Sequence, residues 1–471
     1  MGFVGELKLK KPRRAVVNFG RFYGVDHRVD GDVSGFNRAD MCFNFSCKDG
    51  TLKTTFGLKN VNDKFTLPDY AIIDSLYYFR RNDYENGVND DRLIAYATSG
   101  KMYTAPASGG ELTLIEGLTF NKKPIGVCYN YNSKDVIIFS AEGEGIKIYD
   151  GNTVTVVSDC PSVTSMCVHS ERLFITSGGV DGALWFSDDF DPTNWNVSLT
   201  EAGFIDMSDE RGEMLCAVAF GGHVYVFRSY GVSRVTAYGD QSDFSVSHLL
   251  VSCGKICKNT IIVCGDCILF FASDGLYRFD GYTAVRISDP WFANAKTDFD
   301  WLKGVYFNGY AYYIIKFKVR NEYYAGVFAI TPDGSDYAYT NIASILDLTV
   351  LSGENIYKLY AIERLKFGFF EVAKGAGWDG DNVHMEWWSK ESDFGVKGRQ
   401  KRLKRVSFYA NSPIKLTVTV NGEDHVFNLT PRNGLCETKM NIKGERFQIK
   451  FYSFGLDTEI SAPELEFTYY A

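Results

Sequence analysis

The chain has 471 residues, a formal net charge of −8, and 36 Phe, 29 Tyr and 7 Trp. That length exceeds one ordinary domain. No stretch approaches the roughly 20 apolar residues of a spanning helix, which excludes membrane insertion by helices, and the acidic balance argues against a generic nucleic-acid footprint.

Met1 to Arg14 holds no apolar block of the signal-peptide kind. Met1-Gly2 is followed by Glu6 where myristoylation wants Ser or Thr. Eleven cysteines, an odd number scattered through strand-like segments, suit folding in a reducing cytoplasm. The first basic run is Lys8, Lys10, Lys11, Arg13 and Arg14. Residues 1–64 read as an N-terminal arm with strands that join the following domain.

From residue 65 to 375 one phrase returns seven times: an apolar strand, a polar or Gly turn, an aliphatic strand, then an aromatic strand. The copies begin near residues 72, 125, 164, 214, 259, 304 and 348, so successive starts lie 53, 39, 50, 45, 45 and 44 residues apart. That spacing brackets a four-stranded propeller blade better than any helical repeat. One such sheet alone leaves a face wet, so the units must stack radially on one another. The expected architecture is all-β, a six- or seven-bladed propeller followed by a small β-sandwich. Within the repeats, Asp188 to Trp195 suggests a short 3₁₀ turn. Ser288, Asp289 and Pro290 give a short helix start, with an N-cap candidate before a Pro.

A Gly-rich joint, KGAGWDGD at 374–381, closes the repeats. Residues 376–471 then alternate in short runs at 405–409, 414–420, 425–429, 437–442, 446–451 and 464–469, with Asn421-Gly422 as a hairpin turn. Such a pattern reads as a β-sandwich. Residues 395–471 carry 12 Lys and Arg against 8 Asp and Glu, a balance of +4, which leaves −12 for the remainder. The second basic run, Lys397, Arg399, Lys401, Arg402, Lys404 and Arg405, opens this domain. Each basic run has three readings: a solvated or edge-protecting face, a contact with an acidic neighbouring subunit, or a contact with DNA phosphates.

Cys253, Cys257, Cys264 and Cys267 have the spacing of a zinc site, against which stands plain packing of small thiols in a blade, or a labile disulfide. The histidines at 27, 169, 223, 248, 384 and 425 fall into no ligand or triad spacing, and read as turn or rim residues. Asp188, Asp189, Asp191, Asp206, Asp209 and Glu210 offer oxygens for calcium, but the D-x-[DN]-x-[DN]-G order is missing, and Asp is an ordinary turn residue. No H-E-x-x-H, G-x-S-x-G or Walker loop occurs. Ser273, Asp274 and Gly275 approach the repeated turn of sialidases, with the Gly one residue early and no recurrence in other blades. The expectation is therefore a protein without catalytic residues, cofactor or resident metal.

Two segments resemble something specific. RLFITSGGVDGALWFSDDFDPTNW at 172–195 is similar to a blade of bacteriophage tail proteins, and ADMCFNFSCKDGTLKTTFGLKNV at 39–61 resembles their N-terminal signature. Ser389, Lys390, Asp393, Phe394 and Gly395 resemble their join between propeller and sandwich, whereas Thr54, Thr55 and Phe56 stand where an Arg and a Pro are usual. The order of arm, propeller and sandwich is similar to that of tail-hub or packaged-DNA-stabilisation proteins of short-tailed phages. The resemblance implies a non-enzymatic virion protein, assembled in the bacterial host cytoplasm. It would form a homo-oligomeric ring in the tail or neck, connect a portal-proximal adaptor to distal tail parts, and help retain packaged DNA through non-specific contact.

Two other classes remain open. A receptor-binding tail-tip protein would stack host glycans on rim aromatics such as Trp195, Trp291, Trp378, Trp387 or Trp388. A polysaccharide-active propeller enzyme would need an acid pair or nucleophile that no motif marks.

Overall fold

A computed structural model describes residues 11–27, 35–68, 71–177, 182–208, 210–249, 251, 253–288, 296–297, 303–319, 322–341, 344–353, 356–364, 368–374, 377, 379 and 382–470. The protein is all-β, and among the described residues helix is confined to three single 3₁₀ turns.

Among the described residues, seven antiparallel blades of four strands each form a propeller. Blade 1 runs through Ile73–Phe79, Arg92–Ala97, Lys101–Pro106 and Thr113–Thr119. Blade 2 has Ile125–Tyr131, Lys134–Ser140, Ile146–Tyr149 and Val154–Val157. Blade 3 has Ser165–His169, Arg172–Thr176, Ala183–Phe186 and Gly203–Asp206. Blade 4 has Met214–Phe220, His223–Arg228, Gly231–Thr236 and Ser245–Leu249. Blade 5 has Ile262–Val263, Ile268–Ala272, Gly275–Phe279 and Ala284–Arg286. Blade 6 has Lys303–Phe307, Tyr310–Val319, Glu322–Ile330 and Tyr337–Thr340. Blade 7 has Ile345–Ser352, Tyr357–Glu363 and Gly368–Lys374, and takes its outer strand, Phe56–Asn60, from the start of the chain. The sheet of blade 2 is extended by two short strands at 82–83 and 88–89, and that of blade 6 continues through Phe45–Ser46 into the sandwich. All seven repeat starts read from the sequence begin a blade, and the count is seven.

The second strand of each blade lies between two neighbouring sheets, which is why it reads as an unbroken aliphatic or aromatic run. Both of its faces are dry: Arg172–Thr176 and Ile268–Ala272 are buried throughout. Alternation along one strand then serves two neighbours, as a period of two requires. In blade 2, Ile137 and Phe139 pack with Ile94 of blade 1, while Ile138 packs with Leu173 and Ile175 of blade 3. The last interface joins Tyr360, Ile362 and Phe369 of blade 7 to Leu93 and Ala95 of blade 1, so the wheel closes on itself. Closure leaves no long open sheet edge.

The sandwich is built from both ends of the chain. One sheet pairs Glu459–Tyr469 with Arg13–Asn18 on one side and Lys401–Ala410 on the other, and Leu435–Gly444 extends it. The second orders Tyr23–Val25, Arg38–Phe43, Met385–Ser389, Gln448–Ser453, Ile414–Val420 and Glu423–Leu429. Between the sheets, Phe22 meets Trp387 edge-on at 4.9 Å and Phe408 meets Phe451 at 5.1 Å. Asn421 and Gly422 both have positive φ, 51° and 80°, as a two-residue hairpin turn requires. The same apolar core continues into Phe271, Tyr313 and Phe328 of blades 5 and 6.

The N-terminal stretch is thus distributed differently from the expected division at residues 64 and 375. Strands 13–18, 23–25, 38–43 and 52–54 belong to the sandwich, Phe45–Ser46 pairs with the outer strand of blade 6, and Phe56–Asn60 joins blade 7. The 3₁₀ turn expected at 188–195 is a β-bridge between Asp188 and Asp191 flanked by turns, with Phe190 at φ 58°. Asp289 and Pro290 of the expected helix start lie outside the described residues.

Candidate functional site

The central channel is the usual concave feature of a propeller, and here one mouth is tied across. The first strands of neighbouring blades pack around the axis, and charged groups sit where those strands begin. The Lys123 ammonium, just before the inner strand of blade 2, lies 3.4 Å from the Asp74 carboxylate of blade 1 and 3.8 Å from Asp347 of blade 7. Lys303 of blade 6 reaches the same Asp347 and bonds it directly. Asp347 is 1% exposed and also accepts the backbone N–H groups of Leu76 and Leu348. A buried carboxylate needs that many partners, because an unmatched charge in a dry site is costly. On the far side, Lys258 of blade 5 donates to the Thr164 carbonyl of blade 3 at 2.5 Å, passing over blade 4. Burial pushes the pKa of both Lys258 and Lys303 down. The arrangement binds blades 1, 2, 6 and 7 by charge, and blades 3 and 5 by a charge-assisted hydrogen bond. Sequence reasoning missed these lysines; their one signal was a charge at the head of an otherwise apolar strand.

The basic runs divide into structural and free cations. Lys401 is a correction to the contact candidates: it is 1% exposed, and its ammonium donates to the carbonyls of Val396, Arg399 and Glu445. It holds the loop that precedes its own strand. Arg405 is also committed internally, lying within 3.0 Å of Glu464, 3.3 Å of Glu466 and 3.5 Å of Glu437. Arg14 meets Glu466 from the opposite strand at 2.8 Å. Lys404 and Arg402 both reach the Asn441 side-chain oxygen, and Arg402 is otherwise exposed. Lys397, Arg399, Lys11 and Arg13 are exposed. Lys8 and Lys10 lie outside the described residues.

The four clustered cysteines are not brought together. Cys264 and Cys267 close one blade 5 hairpin, where the Cys267 thiol points at the Cys264 carbonyl. Cys253 lies beside Asp274 at the other end of that blade, and Cys257 caps a 3₁₀ turn at 258–260. Burial pushes the Cys253 thiol up to about 11. Among the described residues, no group of three or more His, Cys, Asp or Glu is placed to hold a metal ion. The Asp188 carboxylate accepts the N–H groups of Asp189 and Glu201 and the Asn194 amide, and Asp191 accepts from Thr193, so these acids do turn chemistry. Asp209 lies outside the described residues. His248 Nδ1 stands 3.0 Å from Ser233 Oγ, but Ser233 is fully buried.

The tryptophans separate by register. Trp195 is buried and donates its indole N–H to the Pro192 carbonyl, which closes the blade 3 loop. Trp387 points into the sandwich core, and its neighbour Trp388 points out. Trp291 and Trp378 lie outside the described residues. Around Trp388, the outward face of the second sheet collects His384, Glu386, Lys415, Lys450, Tyr452 and Phe454. The Lys450 ammonium lies 4.5 Å over the Trp388 ring and the Lys415 ammonium 4.9 Å over Tyr452. The His384 ring stacks on Tyr452 and on Phe454, at 5.8 and 4.8 Å with interplanar angles of 6° and 11°. His384 Nδ1 is 3.0 Å from the Glu386 carboxylate, whose pKa burial raises while His384 opposes the rise.

No protein-family model matches the chain, and no curated protein does. Among solved structures, it is similar to BBS1N in complex with ARL6DN, at 11% identity and a TM-score of 0.42, over 64% of this chain and 92% of that one. YCF48 bound to D1 peptide is 9% identical with a TM-score of 0.41, over 68% and 96%. The extracellular domain of the putative hybrid two component system BT4673 from B. thetaiotaomicron is 10% identical with a TM-score of 0.44, over 74% and 42%. Likeness at this level has no bearing on function.

Proposed function

We propose that the chain is a non-catalytic structural subunit of a tailed bacteriophage or prophage particle. In this reading it forms a ring in the tail or neck, connects a portal-proximal adaptor to distal tail parts and helps retain packaged DNA. The observation that carries the mechanical part is the path of residues 13–60, which supply strands to both sandwich sheets and then the outer strand of blade 7. Phe45–Ser46 pairs with the outer strand of blade 6 and with Leu52–Thr54, which pairs with Glu459–Tyr469, so wheel and sandwich share one sheet and cannot part without breaking it. Such a body transmits load, and its loops at either mouth are free to differ for different partners. The charged ties across the channel fit a spacer better than an open catalytic cleft. The phage assignment itself rests on the sequence segments at 39–61 and 172–195.

Ring formation around an axis uses heterologous contacts, in which one patch meets a different one on the next copy. The exposed Lys397, Arg399 and Arg402 supply a cationic patch, and the acidic balance of the propeller supplies its complement. Sedimentation of the purified chain at low and high salt, with negative-stain imaging of the heavy species, tests the ring. Closed rings that dissociate as salt rises support the reading; a monomer at every salt and protein concentration contradicts it.

A further inference from the structure

The outward face of the second sandwich sheet has a composition that neither core nor solvated surface explains. Four rings, Trp388, Tyr452, His384 and Phe454, lie in one row, and consecutive centroids are 6.3, 5.8 and 4.8 Å apart. They point away from the core because their strand neighbours Met385, Trp387 and Phe451 are the residues that fill it. Phe454, at the open end of the row, is 55% exposed. Its ring lies parallel to the His384 imidazole, which holds it in place.

Ionisable groups of both signs line the row. Lys415 and Lys450 stand over two of the rings, Asp424 pairs with Lys450 at 3.3 Å, and Glu386 lies beneath His384. The Trp388 indole N–H faces the Glu386 carboxylate and the Tyr452 hydroxyl, so the row is polar along one side. Lys450 is already buried, but an apolar protein partner would still have to desolvate His384, Glu386, Lys415 and Asp424 here, at high cost. A pyranose sugar would not. It offers an apolar C–H face to an aromatic ring and a rim of hydroxyls to carboxylates and ammoniums, and amphipathic rings suit such half-wet contacts.

We infer that this face is a carbohydrate-binding platform, in which Phe454 and the His384 edge stack a pyranose ring while Glu386 and Lys415 bond its hydroxyls. The strand Arg38–Phe43 borders the platform, and its Phe43 packs on Tyr339 of blade 6 at 5.4 Å, so the face is held rigidly against the wheel. The platform does not depend on the ring role: a chain that assembles into no ring could still bind sugar here, and the reverse.

The test uses the full chain on an array of bacterial O-antigen and capsular polysaccharides, with hits titrated by quenching of tryptophan fluorescence. Binding to at least one polysaccharide is expected, weakened about tenfold or more by Phe454→Ala and by Glu386→Gln. Phe454→Tyr, which keeps the stack, should retain affinity. Phe454 is more than half exposed and Phe454→Ala removes one ring stack, so the variant should still unfold in a single cooperative urea transition with at most a small shift in midpoint, which separates lost binding from lost folding. No binding across the array, or binding that Phe454→Ala leaves intact, overturns the inference.

Discussion

Leu58 lies directly opposite Val372 in an antiparallel pair, so a strand from the beginning of the chain completes the last blade of the wheel. The join is reinforced where the Leu58 N–H donates to the Gly377 carbonyl at 2.8 Å and the Asp379 N–H donates back to Leu58. Gly57 permits this approach, because a Cβ there would collide with the Gly377 backbone. Gly57→Val should lower stability by about 1–3 kcal/mol through overpacking. The expected readout is a lower urea midpoint together with new proteolytic cuts near residue 60; an unchanged midpoint would show that closure is not held there.

The two channel ties should differ in how much stability they carry. Asp347→Asn leaves Lys303 and Lys123 facing a neutral group, and should cost about 3 kcal/mol, the low end for a broken buried pair, because water still reaches both lysines. Lys258→Met removes an ammonium whose bonded partner is a carbonyl, and should change stability by less than about 1 kcal/mol. Chemical denaturation of both variants checks the contrast.

Two blades carry the same turn, Asp150-Gly-Asn-Thr153 and Asp280-Gly-Tyr-Thr283. The N–H groups of Thr283 and Tyr282 hold the Asp280 carboxyl below the usual range; at Asp150 burial pulls upward, but the Thr153 and Asn152 N–H groups outweigh it. A carboxyl whose folded pKa lies below its unfolded value stabilises the fold above that unfolded value, and the contribution fades as pH falls through the folded one. Unfolding midpoints should therefore decline from about pH 5 downward. Asp150→Asn with Asp280→Asn should flatten that slope; an identical acid profile would remove these two turns as its source.

Arg405 and its neighbours separate folding from assembly. Arg405→Glu places a fourth acid among Glu437, Glu464 and Glu466, and should destabilise the sandwich by about 1 kcal/mol or more. Charge reversal at Lys397, Arg399 and Arg402 should leave the unfolding midpoint within about 0.5 kcal/mol of the parent and weaken ring formation. If the second set instead unfolds the protein, these cations are structural.

The blades were legible because each repeats a local pattern: the aliphatic second strand is apolar on both faces, and in blades 2 to 6 only a short turn separates it from the first strand. Strands 13–18 and 38–43 were not assigned to the sandwich, because their partners at 464–469 and 386–389 lie hundreds of residues away and local alternation does not name a partner; 23–25 enters the same sheet only through its parallel pairing with 38–43. The same limit applies to the site. Trp387 and Trp388 are adjacent, and only the register of Met385–Ser389 against Gln448–Ser453 decides that the first faces the core. Lys401 read as a surface cation because nothing in the sequence shows three carbonyls converging on its ammonium.

The most direct test of the connector reading is electron cryomicroscopy of phage particles from a host lysate, with this chain located by a bound antibody fragment. The account predicts a closed ring of copies on the tail axis between the portal end and the distal tail. Copies on free-swinging fibres, or particles that lack the chain, would contradict it.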